Sequence, residues 1–155
     1  MIKLVRLDYR LLHGQVCFTW VQHVSASRVI IVDDASANDD LKKSALKLAK
    51  PQGVRLNVFT LEQILAKMPK VKQLNENIIV IFGDVHDLAI FCQAHPEVGE
   101  VNYGATANRP GATQLDQSVF LLPSEIEDTR TILATGVKIY SQQTPSHTRT
   151  DVTSI

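Results

Sequence analysis

The apolar positions of this chain change spacing repeatedly, and each change marks a new element. Residues 2–7 are mostly apolar and read as a first strand, followed by a polar turn through Asp8, Tyr9 and Arg10. Within 15–24, Val16, Trp20 and Val24 recur every four positions, one helical stripe able to pack on a sheet. Residues 29–32 are apolar without alternation, as expected of a strand covered on both faces of a parallel sheet. A helix is predicted over 36–50, with Ser36 or Asn38 as N-cap and with Asp39 and Asp40 in its first turn, where carboxylates oppose the helix dipole. Val54, Leu56 and Val58 alternate with polar neighbours in a third strand near a sheet edge, and Thr60 with Gln63 makes a capping box for a short helix that Pro69 ends. Residues 78–82 form the most buried-looking strand, Asp84 begins a helix to Ala94, and 98–103 make a fifth strand. Periodicity stops over 104–111, where Gly, Pro, Asn and Arg accumulate in a loop of the kind that carries function. A sixth strand is expected at 119–122, a helix capped by Ser124 and Glu127 up to Gly136, and a seventh strand at 137–140. The polar segment 142–155 is expected to be partly mobile. Strands alternating with helices predict an α/β fold: a single domain over 1–155, with a mostly parallel sheet of about seven strands flanked by helices.

Composition narrows what such a domain does. Sixteen Lys and Arg balance sixteen Asp and Glu, so no global field attracts nucleic acid or an acidic membrane surface. Lys3, Arg6, Asp8 and Arg10 interrupt any signal-peptide core, and the apolar runs are too short to span a bilayer. The two cysteines, Cys17 and Cys92, lie far apart within helical patterns, which argues against a disulfide framework and for the cytoplasm. With no net charge, little repulsion opposes self-association, so a homo-oligomer is compatible with the chain.

Familiar chemical motifs are missing. No glycine precedes a lysine, so there is no phosphate loop of the G-x-x-x-x-G-K-[ST] type, and neither G-x-G-x-x-G nor G-x-S-x-G occurs. Histidines 13, 23, 86, 95 and 147 include no helical i, i+4 metal pair, and no metal site is expected. Asp33, Asp34, Asp39 and Asp40, with Asp84 ending another strand, resemble the phosphoacceptor pocket of response-regulator receiver domains. That reading fails because the strand where a receiver carries its lysine runs into Pro123 instead, and because Asp39 and Asp40 suffice as helix-start residues.

The segment Arg6-Leu7-Asp8-Tyr9-Arg10-Leu11-Leu12-His13-Gly14-Gln15-Val16 lies between the first strand and the first helix. In a parallel sheet, ligands bind at the carboxyl ends of strands, where helix N-termini offer free N–H groups. A histidine imidazole is substantially neutral, and so nucleophilic, at cytosolic pH, which makes His13 a candidate phosphoryl acceptor. Arg10 supplies a cation for a phosphoryl group in transit, Asp8 a carboxylate to hold Arg10 or the imidazole, and Gly14 and Gln15 backbone at the helix start. The same residues are compatible with a structural histidine and a surface ion pair worth under ~1 kcal/mol.

R-L-D-x-R-L-x-H-G-Q-V, with Trp20 soon after, resembles the active-site loop of the IIB components of the mannose/fructose/sorbose family of the bacterial sugar phosphotransferase system. The resemblance continues through Val29-Ile30-Ile31-Val32-Asp33-Asp34, through Ala49, Pro51, Gly53 and Val54, then Asn102 and Gly104, and lastly Gly136-Val137 with Pro145. It implies a phosphocarrier with protein-Nπ-phosphohistidine–sugar phosphotransferase activity. His13 would take a phosphoryl group from a IIA subunit and pass it to a sugar imported by the membrane subunits IIC and IID, with transient membrane association through those subunits and no cofactor. The family's sheet order sets the first strand between the fourth and the fifth, so Gly83 and Asn102 would flank His13. Arg109 is a candidate second cation. Two segments depart from the family pattern: Gly83-Asp84-Val85, where a basic or polar residue followed by Pro is common, and Ala105-Thr106-Ala107. The alternative is a regulatory protein on the same fold that binds a partner according to its phosphorylation, without a transport role. Neighbouring IIA, IIC and IID reading frames would separate the two.

Overall fold

A computed structural model describes residues 1–155 as one α/β domain. The chain runs β1 (Ile2–Asp8), α1 (Gly14–Val24), β2 (Arg28–Val32), α2 (Asp34–Ala37), α3 (Asp40–Ala49), β3 (Arg55–Phe59), α4 (Leu61–Gln73), β4 (Ile78–Phe82) and α5 (Val85–Ala94). After a 3₁₀ turn at Pro96–Val98 come β5 (Glu100–Ala105), β6 (Thr113–Asp116), β7 (Val119–Leu121), α6 (Pro123–Ala134), β8 (Lys138–Ser141) and β9 (Thr150–Val152). Seven strands form one sheet in the order β3-β2-β4-β1-β5-β8-β9, parallel except where β9 pairs antiparallel with β8.

Side-chain alternation along the strands builds two cores. Val5, Leu7, Ile78, Val80 and Phe82 join the helices α4, α5 and α6 on one face, while Leu4, Ile79 and Ile81 meet Trp20 and Val21 of α1 on the other. With both faces covered, β4 is apolar throughout, and all five of its residues are buried. The order places β1 between β4 and β5, as the resemblance implied, so the connection after β1 opens at the middle of the carboxyl edge.

Several local expectations change. In place of one helix over 36–50 there are two, α2 and α3: Asp33 caps the first by accepting from Ser36 N at 3.1 Å, and Asp39 caps the second by accepting from Leu41 N and Lys42 N at 3.0 and 3.1 Å. Thr60 and Gln63 do form the capping box, yet α4 continues through Pro69 because Met68 and Val71 on either side of it are anchored in the core. Helix α6 starts at Pro123, with Glu125 rather than Glu127 accepting from Leu122 N at 2.8 Å. The strand at 119–121 lies outside the main sheet, paired with β6, and β9 supplies the seventh strand instead. Residues 142–155 therefore lie against the body: β9 pairs with β8, and the Gln143 carbonyl accepts from Trp20 Nε1 at 3.1 Å.

Candidate functional site

The loop after β1 is built from its buried end outward. Arg6, the only charged residue inside β1 between Lys3 and the terminal Asp8, sits opposite Asn102 in the β1–β5 register and is 2% exposed. Its Nη1 donates to Asn102 Oδ1 at 2.5 Å and to the Gln142 carbonyl at 3.1 Å; its Nη2 donates to Asp8 Oδ2 at 3.1 Å and to the Gln143 carbonyl at 3.0 Å. The Trp20 ring lies 5.5 Å away and covers the guanidinium. Gly104 is required by this arrangement, since a Cβ there would stand 2.1 Å from Arg6 Cζ.

Asp8, 1% exposed, is gripped from the other side by Arg10, whose Nε reaches Oδ1 and whose Nη2 reaches Oδ2, both at 3.0 Å, while Arg10 N also donates to Oδ1 at 3.0 Å. Asp8 thus bridges two guanidiniums. Burial lowers the Arg6 pKa against the opposing pull of Asp8, whereas the hydrogen bonds to Asp8 raise that of Arg10. Beyond Arg10, Leu11 takes a left-handed φ of 62°, its N–H closing on the Asp8 carbonyl at 3.0 Å, and Leu12 is buried as the loop's apolar anchor. His13 is the exposed N-cap of α1 and makes no capping bond with its side chain; its carbonyl accepts from Val16 N and Cys17 N. Gly14 follows at φ 41°, and the N–H groups of Gly14 and Gln15 belong to the first turn, which has no intrahelical partners. Cys17 lies beneath the loop, where burial pushes its thiol up to about 11, whereas the His13 side chain is exposed.

Most of the residues singled out from the sequence converge here. Asp8, Arg10, His13, Gly14 and Gln15 share the loop, and Asn102 supports it through Arg6. Asp8 holds Arg10 and not the imidazole. Gly83 flanks the loop on the β4 side, where a Cβ would come within 3.0 Å of Leu11 Cδ2. Arg109 is engaged elsewhere: it donates to the Ala107 and Phe120 carbonyls and pairs with Glu125 at 2.6 Å, which ties the 104–111 loop to α6. The residues missed by sequence reasoning are Arg6 as the buried centre of the network and the carbonyls of Gln142 and Gln143. The one available signal was a charge in the middle of an otherwise buried strand. No three His, Cys, Asp or Glu side chains are grouped to hold a metal ion.

Beside Gly83, the ends of β2 and β4 carry Asp33, Asp34, Asp84 and, one turn into α5, Asp87. Burial, then Asp84 and Asp34, push the Asp87 carboxyl up to about 6. A carboxyl whose folded pKa is raised costs stability once ionised, so this cost grows as pH rises from about 4 towards 6 and is fully present at neutrality. Asp87→Asn is therefore expected to stabilise the protein near neutral pH by about 1 kcal/mol after solvent screening, and to change nothing below about pH 4. Urea midpoints of both proteins across that pH range check it.

What fold and loop define together is a small α/β protein that presents an exposed histidine at the carboxyl edge of its sheet, on a loop braced by two arginines and an aspartate. Comparison with known proteins is specific. The chain belongs to the sorbose subfamily of the IIB components of the phosphotransferase system, whose family model matches residues 2–155. It is 34% identical over 138 residues to the sorbose-specific EIIB component of Klebsiella pneumoniae, covering 89% of this chain and 84% of that one. It is 30% identical over 139 residues to the mannose-specific EIIAB component of Escherichia coli, covering 90% of this chain and 43% of that longer protein. The crystal structure of the IIBSor domain of the Klebsiella pneumoniae sorbose permease superposes with a TM-score of 0.91 at 31% identity, covering 99% of this chain and 94% of that one. The protein is accordingly a component of a sugar phosphotransferase system, and no helix in it is long and apolar enough to cross a membrane.

Proposed function

We propose that this chain is the phosphocarrier of its system: His13 accepts a phosphoryl group from a phosphorylated IIA subunit and delivers it to a sugar imported by the membrane subunits IIC and IID. The observation that carries the reading is the exposed His13 imidazole at the start of α1, on the same short loop as a guanidinium already oriented by a buried carboxylate. The joining of IIA and IIB in the name of the mannose-specific EIIAB relative supports IIA as the donor.

In the first transfer an imidazole nitrogen of His13 attacks phosphorus, the phosphorus–nitrogen bond to the donor histidine breaks, and the donor leaves as neutral imidazole, gaining one proton while the His13 ring gives up the proton on its other nitrogen. In the second a sugar hydroxyl attacks phosphorus, the bond to His13 breaks, and the hydroxyl proton is released to an imidazole nitrogen. The protein's part is positioning and charge. Arg10, held through Nε and Nη2, keeps its remaining N–H groups for the moving phosphoryl oxygens, and the first-turn N–H groups of Gly14 and Gln15 have no intrahelical partners to compete for them. The direct test is to incubate the protein with phosphoenolpyruvate, the general phosphotransferase proteins and a matched IIA, and then to map the acid-labile phosphate by mass. A phosphate on His13 is expected; a phosphate elsewhere, or none, would end this reading.

Arg10→Lys keeps the charge but cannot make the paired Nε and Nη2 bonds to Asp8. Transfer is expected to slow by about tenfold with the fold retained, since Arg10 is partly exposed. Single-turnover transfer from phospho-IIA measures this, and an unchanged rate would remove Arg10 from the mechanism.

A further inference from the structure

We propose that Arg6 is a positioning residue for phosphoryl transfer: clamped by Asn102 and by the carbonyls of Gln142 and Gln143, it fixes Asp8, and Asp8 in turn fixes Arg10 on the loop that ends in His13. The proposal rests on the reading of His13 as the phosphoryl carrier. A buried guanidinium in a strand interior is costly unless its donors find partners, and here each terminal nitrogen makes two hydrogen bonds. Those four bonds come from three parts of the chain: β1 itself, β5 and two successive carbonyls after β8.

The consequence for the site is geometric. Asp8 Oδ2 is shared between Nη2 of Arg6 and Nη2 of Arg10, so the carboxylate plane, and with it the fork of Arg10, is set from below by a group that is itself buried. Asn102 donates to the same Gln142 carbonyl that Arg6 uses, at 3.1 Å, and Trp20 of α1 donates to the Gln143 carbonyl. The segment after β8 therefore straps the sheet side of the network to the helix that His13 caps. Lysine cannot replace this arrangement, because its three donors radiate from one atom and cannot reach four acceptors held in a plane.

The test is a double-mutant cycle read by single-turnover phosphoryl transfer from phospho-IIA, with Arg6→Lys made in the native background and in Arg10→Ala. If Arg6 acts through Arg10, Arg6→Lys slows transfer by about tenfold in the native background and by under about twofold once Arg10 is gone. The loss should fall on the transfer rate constant and not on the phospho-IIA concentration giving half-maximal rate. Equal losses in both backgrounds, or no loss in either, would overturn the proposal. Asn102→Ala, which removes one clamp and leaves both charges, supplies the same cycle if Arg6→Lys proves too unstable, and the same non-additivity is expected of it. Native rates in Arg10→Ala alone would overturn the underlying reading of the loop, a result distinguishable from failure of the Arg6 coupling.

Discussion

His13→Ala is expected to reduce phosphoryl acceptance from phospho-IIA to the background of the assay while leaving the folding midpoint within about 0.5 kcal/mol of the native protein. Both halves follow from the same geometry. The imidazole is exposed and gives α1 no capping bond, so its removal breaks no packing and no helix-end contact of the side chain. Its chemistry, by contrast, has no substitute in the loop: the thiol below it is buried and held protonated, and the nearest histidine in the chain, His23, lies in the last turn of α1, at the opposite end of that helix. Acid-labile radiolabel and urea unfolding on the same preparations separate the two quantities. A variant that still labels at the native rate would show that the phosphoryl group travels through another residue. A variant that fails to fold would show that the histidine has a structural task.

The elements that were legible in the sequence are those whose burial leaves a mark on composition. β4 is apolar at all five positions because it is covered on both faces, and Asp84 with Ala94 bounds α5 because caps and helix ends use particular residue types. β6 and β9 were not legible. Thr113–Asp116 buries no residue and is held by one partner strand, while Thr150–Val152 buries only Val152, so neither carries a period. Pro69 looked like a helix end because the lost hydrogen bond is local, whereas the anchoring of Met68 and Val71 that outweighs it is tertiary.

The site divides in the same way. His13, Arg10 and Asp8 were readable because their chemistry matters whatever surrounds them. Arg6 was not, because its role exists only through Asn102, the bare Cα of Gly104 and two carbonyls more than a hundred residues away. The departure at Gly83 gains a physical sense too: the missing side chain leaves room for Leu11, so the loop lies closer to the acidic ends of β2 and β4 than a larger residue would permit.

Asp8→Asn is expected to cost about 3–5 kcal/mol of folding stability, far more than its near-isosteric size suggests. Asp8 accepts four hydrogen bonds, one from Arg6 and three from Arg10, and donates none. Asparagine offers one accepting oxygen and turns an amide N–H₂ toward donors, so at least one guanidinium loses its partner. For Arg10, which is partly exposed, water replaces the loss; Arg6, 2% exposed, would keep a full charge with only neutral acceptors around it. Because the pair is buried, added salt should change the loss little, which distinguishes it from the surface pairs. Asp39→Asn is the control: it replaces an exposed cap by an equally good one and should shift the midpoint by under about 0.5 kcal/mol. Urea midpoints at constant m-value give the comparison. A shift below about 1 kcal/mol for Asp8→Asn would mean that Arg6 is satisfied by Asn102 and the two carbonyls alone. The chain from Arg6 to Arg10 would then have to be carried by something other than the buried carboxylate.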